Sequence, residues 1–142
     1  MKSLITATSL ETKEFGQIMA ADFKGGEVLA LSGDLGSGKT VFAQGVAKGL
    51  GVKGRVNSPT FNIFKVYKVN ANSKIKFFCH VDAYRLTSAH DLESIGLNDY
   101  MGDKQTVVLI EWAEKVRGLL PKSAKFITIK HVNTSHRQIN YK

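Results

Sequence analysis

The chain has 142 residues, 43% hydrophobic and 23% charged, which fits one globular domain and excludes a disordered or low-complexity chain. Its formal net charge of +8 is unevenly spread: residues 1–103 hold 12 Lys/Arg against 10 Asp/Glu, and residues 104–142 hold 8 against 2. A single cysteine, Cys79, excludes an internal disulfide, and no apolar run approaches the roughly 20 residues that cross a bilayer.

Taken in order, Met1 to Thr6 lack the apolar run of a signal peptide, so the expected compartment is the cytosol. Ser9 or Thr12 reads as the cap of a first helix, with Leu10, Phe15, Ile18, Met19 and Ala20 as its apolar positions. Lys24-Gly25-Gly26 ends that helix, and Glu27 to Ser32 reads as a short buried strand. Val41, Phe42, Gly45, Val46 and Leu50 mark a second helix, closed by Gly49 and Gly51.

Between that strand and that helix lies Gly33-Asp34-Leu35-Gly36-Ser37-Gly38-Lys39-Thr40, a match to G-x-x-x-x-G-K-[ST] in its proper strand–loop–helix context. Each residue type has a physical reason. Glycines admit positive φ and let the backbone approach phosphate oxygens, and successive amides then form an anion nest. The following helix, opening near Val41, turns its positive end on the same anion. Lys39 brings a mobile charge to the β- and γ-phosphates, and the Thr40 hydroxyl can ligate Mg²⁺. The expected ligand is Mg·ATP.

Phe61 to Val69 and Ile75 to Val81 read as two strands joined through Asn70-Ala71-Asn72-Ser73 in a hairpin. Ser58-Pro59-Thr60, just before them, is either a simple turn or a mobile segment whose threonine senses γ-phosphate. His80 and Asp82 share one face of their strand, with Cys79 and Val81 turned to the core. The face reads as a hydrolytic surface or as a structural His–Asp pair, with Asp82 the more functional of the two. Ser88 to Asp91 can cap a short helix with Leu92 and Ile95 inward, ended by Gly96.

Val107-Val108-Leu109-Ile110 is the continuous apolar run of a strand covered on both faces. Glu111 follows it directly, where a phosphate-loop enzyme places its second metal-side carboxylate. Trp112 reads either as a contact of the nucleotide site or as a core residue, with core packing favoured, and it opens a short helix to Leu119 that Pro121 stops. Phe126 to Val132 and Gln138 to Tyr141 read as further strands. The basic final third fits an acidic partner such as nucleic acid, or a solvated lysine face.

Strands alternating with helices predict an α/β fold: a P-loop NTPase-like three-layer sandwich with a mixed central sheet and a hairpin insertion, in one domain over 1–142. A regulatory GTPase would need an Asn-Lys-x-Asp guanine-reading motif, and none occurs. A small-molecule kinase, the alternative of another class, usually carries an arginine-rich lid, whereas Arg55, Arg85, Arg117 and Arg137 are widely spaced. A non-catalytic, nucleotide-dependent interaction module is a third reading.

Four motifs in order resemble the TsaE (YjeE) family of bacterial ATPases: Gly33 to Thr40, Ser58-Pro59-Thr60-Phe61, His80-Val81-Asp82-Ala83-Tyr84-Arg85-Leu86 and Ile110-Glu111-Trp112-Ala113-Glu114. Ala83 and Ser37 depart from the commoner family residues. The resemblance implies a part in making threonylcarbamoyladenosine in tRNA, with a TsaD–TsaB heterodimer as partner and tRNA reached through that complex. It also implies phosphate and Mg²⁺ contacts from Lys39 and Thr40, Glu111 on the metal, Thr60 in a switch-like segment, and Asp82 catalytic or just behind the reacting groups. Leu10 and Thr12 would flank the adenine.

Overall fold

The computed structural model describes residues 1–57, 63–69, 74–86 and 96–142. Thr60 with its Ser58–Phe61 motif, the Asn70–Ser73 turn, and the helix capped at Ser88 lie outside the described residues.

Seven strands form one mixed sheet in the order β1-β7-β6-β2-β5-β4-β3. They are β1 Lys2–Thr6, β2 Val28–Ser32, β3 Phe64–Lys68, β4 Phe77–Asp82, β5 Thr106–Glu111, β6 Lys125–His131 and β7 Arg137–Tyr141. β6, β2, β5 and β4 run parallel through the centre, and antiparallel pairings with β7, β1 and β3 complete the two sides. The antiparallel pairing of β3 with β4 is the expected hairpin ladder, from Phe64 opposite Val81 to Lys68 opposite Phe77.

Strand alternation divides the core in two. Leu29, Leu31, Val107 and Leu109 face helices α1 (Ser9–Ala20) and α2 (Lys39–Leu50). Val28, Ala30, Val108 and Ile110 face the other way, toward the 3₁₀ helix Ala113–Leu119 and the short helix Leu97–Met101. Phe42 and Phe78 are fully buried on the α1/α2 side, each contributing about 1.5–3 kcal/mol of apolar transfer.

Helix α1 corrects the sequence expectation in two ways. Its cap is Thr8, whose side chain accepts from the Glu11 amide at 3.1 Å, rather than Ser9 or Thr12. Of its expected apolar positions, Ala20 is buried and Phe15 and Met19 pack against the core, but Leu10 and Ile18 are 63% and 68% exposed, and the fully buried stripe is Thr12, Gly16 and Ala20. The reason is the approach of α2. A Cβ built on Gly45 would stand 1.9 Å from the Lys13 carbonyl oxygen, and one on Gly49 would stand 2.6 Å from that of Gln17. Backbones this close exclude large side chains, so small residues hold the interface.

β1 was not expected at all. Its residues are mostly exposed, and it is held by pairing with β7 at the other end of the chain, Leu4 opposite Ile139.

Candidate functional site

Buried β2 delivers the chain to Gly33, and α2 begins at Lys39, so the intervening loop is anchored at both ends. Gly33, Gly36 and Gly38 all have positive φ, at 151°, 75° and 107°. A Cβ at Gly33 would also meet the Ile129 carbonyl oxygen at 2.3 Å, so both conformation and space demand glycine there. The Ser37 amide donates to the Asp34 carbonyl at 3.0 Å and tightens the bend. No side chain caps α2. Its first amides and the positive end of its dipole are therefore available to an anion.

Lys39 is 5% exposed, and its Nζ donates to the carbonyls of Gly33 at 2.6 Å and Asp34 at 2.8 Å. The same ammonium stands 4.0 Å from the centre of the Trp112 ring. Burial pulls the Lys39 pKa below the ordinary lysine value, against the opposing pull of Glu111, Glu114, Asp34 and Asp82.

Across the loop, the register of β4 with β5 sets Asp82 beside Glu111 at the carboxyl ends of both strands. Glu111 is 3% exposed and fully engaged: Oε1 accepts from the Thr40 hydroxyl at 2.9 Å, and Oε2 meets His80 Nε2 at 2.5 Å. A carboxylate so buried needs both partners. His80 is itself fully buried and stacked on Phe78, with ring centres 6.1 Å apart. The expected His80–Asp82 pair is thus corrected. His80 belongs to Glu111, because the neighbouring parallel strand supplies a carboxylate within reach of the imidazole. Asp82 instead accepts the Tyr84 amide at 2.9 Å.

Trp112 meets both readings: it is partly buried against the core cluster of Val28, Ala30, Val108 and Ile110, and it also faces the site. With φ at 59°, it is the one non-glycine with positive φ among the described residues, and its ring contacts Lys39 and Tyr84 at the site. Positive φ in a bulky residue is costly and is retained where the surroundings impose it. The turn after Glu111 swings the indole over the loop.

A cavity of about 300 Å³ results, with Leu35, Gly36, Gly38, Lys39, Thr40 and Val41 on one side and Asp82, Tyr84, Glu111 and Trp112 on the other. Most of the predicted site residues converge here. Asp34 and Ser37 serve from behind: the Asp34 carbonyl accepts from Lys39, and Ser37 is buried beneath the loop. Thr12 is buried too, sharing a 2.7 Å hydrogen bond with Thr6, with its methyl 3.8 Å from where a Gly38 Cβ would stand. Leu10 is exposed at the start of α1 and does not line the cavity.

Sequence reasoning missed Arg137. Its Nε donates to the Ser37 carbonyl at 3.1 Å, and its Nη1 donates to the carbonyls of Asn133 and His136, both at 3.0 Å. The guanidinium ties the β6–β7 turn to the glycine loop. A separation of 100 positions leaves no local signal for such a contact.

The donor set has a definite chemical character. A hydroxyl and a carboxylate, Thr40 and Glu111, with Asp82 alongside, are hard oxygen donors of the kind Mg²⁺ takes, commonly with substrate phosphates completing its shell. Among the described residues, no group of three or more His, Cys, Asp or Glu could hold a metal by itself.

A family model described as "Threonylcarbamoyl adenosine biosynthesis protein TsaE" matches residues 6–139. The chain is 40% identical over 136 residues to the "tRNA threonylcarbamoyladenosine biosynthesis protein TsaE" of Bacillus subtilis (strain 168), covering 96% of this chain and 82% of that one. It is 31% identical over 135 residues to the protein of the same name in Treponema pallidum (strain Nichols), covering 95% and 96%. Among solved structures it resembles Bacillus subtilis YdiB, with a TM-score of 0.76 and 34% identity over 99% of this chain and 83% of that one.

Proposed function

This chain belongs to the TsaE family of tRNA threonylcarbamoyladenosine biosynthesis proteins, and from that premise we propose that it is a Mg²⁺-dependent ATPase serving that pathway. The observation that carries the reading is the convergence of Lys39, Thr40, Glu111 and the uncapped start of α2 on one cavity. It is a single domain with a P-loop NTPase-type fold. It works in the cytoplasm with a TsaD–TsaB heterodimer and reaches tRNA through that complex.

The residues divide the work as follows. The Gly33–Gly38 loop and the first amides of α2 receive the β-phosphate, and Lys39 turns its ammonium from loop carbonyls to phosphate oxygens. Thr40 and Glu111 would hold Mg²⁺, which would supply positive charge to the phosphate oxygens. His80 donates to Glu111 and fixes the carboxylate toward Thr40. Asp82, at the cavity wall, orients the attacking water. A switch-like role for Thr60 rests on the family resemblance alone, while Thr12, buried and bonded to Thr6, supports the glycine loop from beneath.

No arginine is among the described residues lining the cavity. Arginine charge on the transferring phosphoryl group accelerates P-loop hydrolysis by orders of magnitude, so the isolated chain turns over slowly and a partner completes it. The test is ATP hydrolysis with and without purified TsaD–TsaB. Stimulation by the heterodimer is expected. Turnover by the chain alone near the enzyme median of about 10 per second would defeat the partner-dependent reading.

A further inference from the structure

A second, larger concavity lies away from the site just described. It encloses about 520 Å³ between α1, the C-terminal half of α2 and residues 52–56. Three cations from three different segments surround it: Lys13 of α1, Lys48 of α2, and Arg55 of the segment after α2. Among the described residues no carboxylate lines it, and none of the three cations forms an ion pair. Lys48 also complements the negative end of α2, which accounts for one of them. Lys13 and Arg55 have no such explanation.

The walls are built rather than incidental. Val52 forms a β-bridge with Val69, and Gln44 Nε2 donates to the Val56 carbonyl at 2.8 Å, holding residues 52–56 against α2. The second contact commits the Gln44 amide nitrogen and leaves its oxygen as an acceptor.

We propose that this cleft is a binding site for the phosphodiester backbone of RNA, separate from the nucleotide cavity. It rests on the pathway reading only for the choice of RNA as a physiological ligand. Backbone phosphates carry one charge each at regular spacing, which three cations around one opening can meet together. Ribose hydroxyls are donors, and the Gln44 oxygen can accept one. The cleft and the nucleotide cavity sit on opposite halves of α2, so a ligand in one leaves the other open.

The test uses the full chain and a fluorescently labelled, unmodified anticodon stem-loop RNA, with affinity followed across roughly 50–200 mM salt. Three variants are compared: wild type, the triple variant Lys13→Gln, Lys48→Gln, Arg55→Gln, and a control with Lys104→Gln, Lys122→Gln, Lys130→Gln from the basic C-terminal third. The cleft variant should lose about tenfold or more in affinity, and its log–log salt slope should fall by about one for each cation removed. The control should bind like wild type, and all three should bind Mg·ATP equally.

Wild-type affinity in the cleft variant would overturn the proposal, as would an equal loss in the control. So would a cleft variant that keeps RNA but loses binding to polyglutamate, which would make the cleft an acidic-protein site. RNA failing to bind the wild type while Mg·ATP still binds would sink the cleft alone. Loss of Mg·ATP binding by wild type would strike the ATPase reading instead.

Discussion

The Thr40 hydroxyl donates to Glu111 Oε1 at 2.9 Å across 71 positions of sequence, joining the first turn of α2 to the end of β5. Glu111 to Gln keeps the shape and an acceptor but removes the charge. It should lower Mg²⁺-dependent ATP turnover by about 10- to 100-fold, the range for disturbed metal surroundings, while nucleotide binding without Mg²⁺ holds. Steady-state hydrolysis and a magnesium-free titration would check this. Unchanged turnover removes Glu111 from the metal site.

Lys39 provides a pH signature. Burial holds its pKa below the ordinary lysine value, so the ammonium is lost earlier as pH rises. Affinity for ATP should therefore fall with pH below the range where exposed lysines titrate. The sign for folding is opposite. Between the lowered folded pKa and the unfolded value, the unfolded chain binds more protons, so Lys39 favours folding increasingly as pH climbs through that window. Nucleotide titrations over alkaline pH decide the matter, and a profile that stays flat until ordinary lysine titration rejects it.

The α1/α2 contact is set by glycine. Gly45 to Ala places a methyl 1.9 Å from the Lys13 carbonyl oxygen, where backbone must move, and should cost about 1–3 kcal/mol as overpacking. Gly118 has nothing within 4 Å of a built Cβ, and Gly118 to Ala should stay within about 0.5 kcal/mol. Denaturant midpoints on both variants supply the comparison. Equal midpoints would show that the helices are not pressed together as described.

Arg137 holds the glycine loop from outside. Arg137 to Met keeps much of the aliphatic bulk but loses the charge-assisted bond to Ser37 and those to the β6–β7 turn. Such bonds contribute about 1.5–3 kcal/mol, discounted here for partial exposure. ATP affinity should weaken by about three- to tenfold through a looser loop. Calorimetric titration measures it, and an affinity equal to wild type would mean that Gly33 to Thr40 keep their shape unaided.

What the sequence determined alone was whatever short spacing encodes. Gly33 to Thr40 needs only its own φ preferences and the strand and helix beside it, so loop, β2 and α2 were legible together. Apolar runs such as Val107 to Ile110 fixed the central strands in the same way, since side-chain alternation acts within a few residues. The tertiary structure decided everything that rests on register between distant strands. It paired His80 with Glu111 rather than Asp82, swung Trp112 to Lys39, brought Arg137 to Ser37, and made Lys2–Thr6 a strand by giving it β7 to pair with. It also put Thr12, Gly16 and Ala20 rather than Leu10 and Ile18 on the fully buried side of α1, because the backbone of α2 comes close at Gly45 and Gly49. Local preferences act through neighbours along the chain, whereas these contacts exist only once the sheet has brought separate segments together.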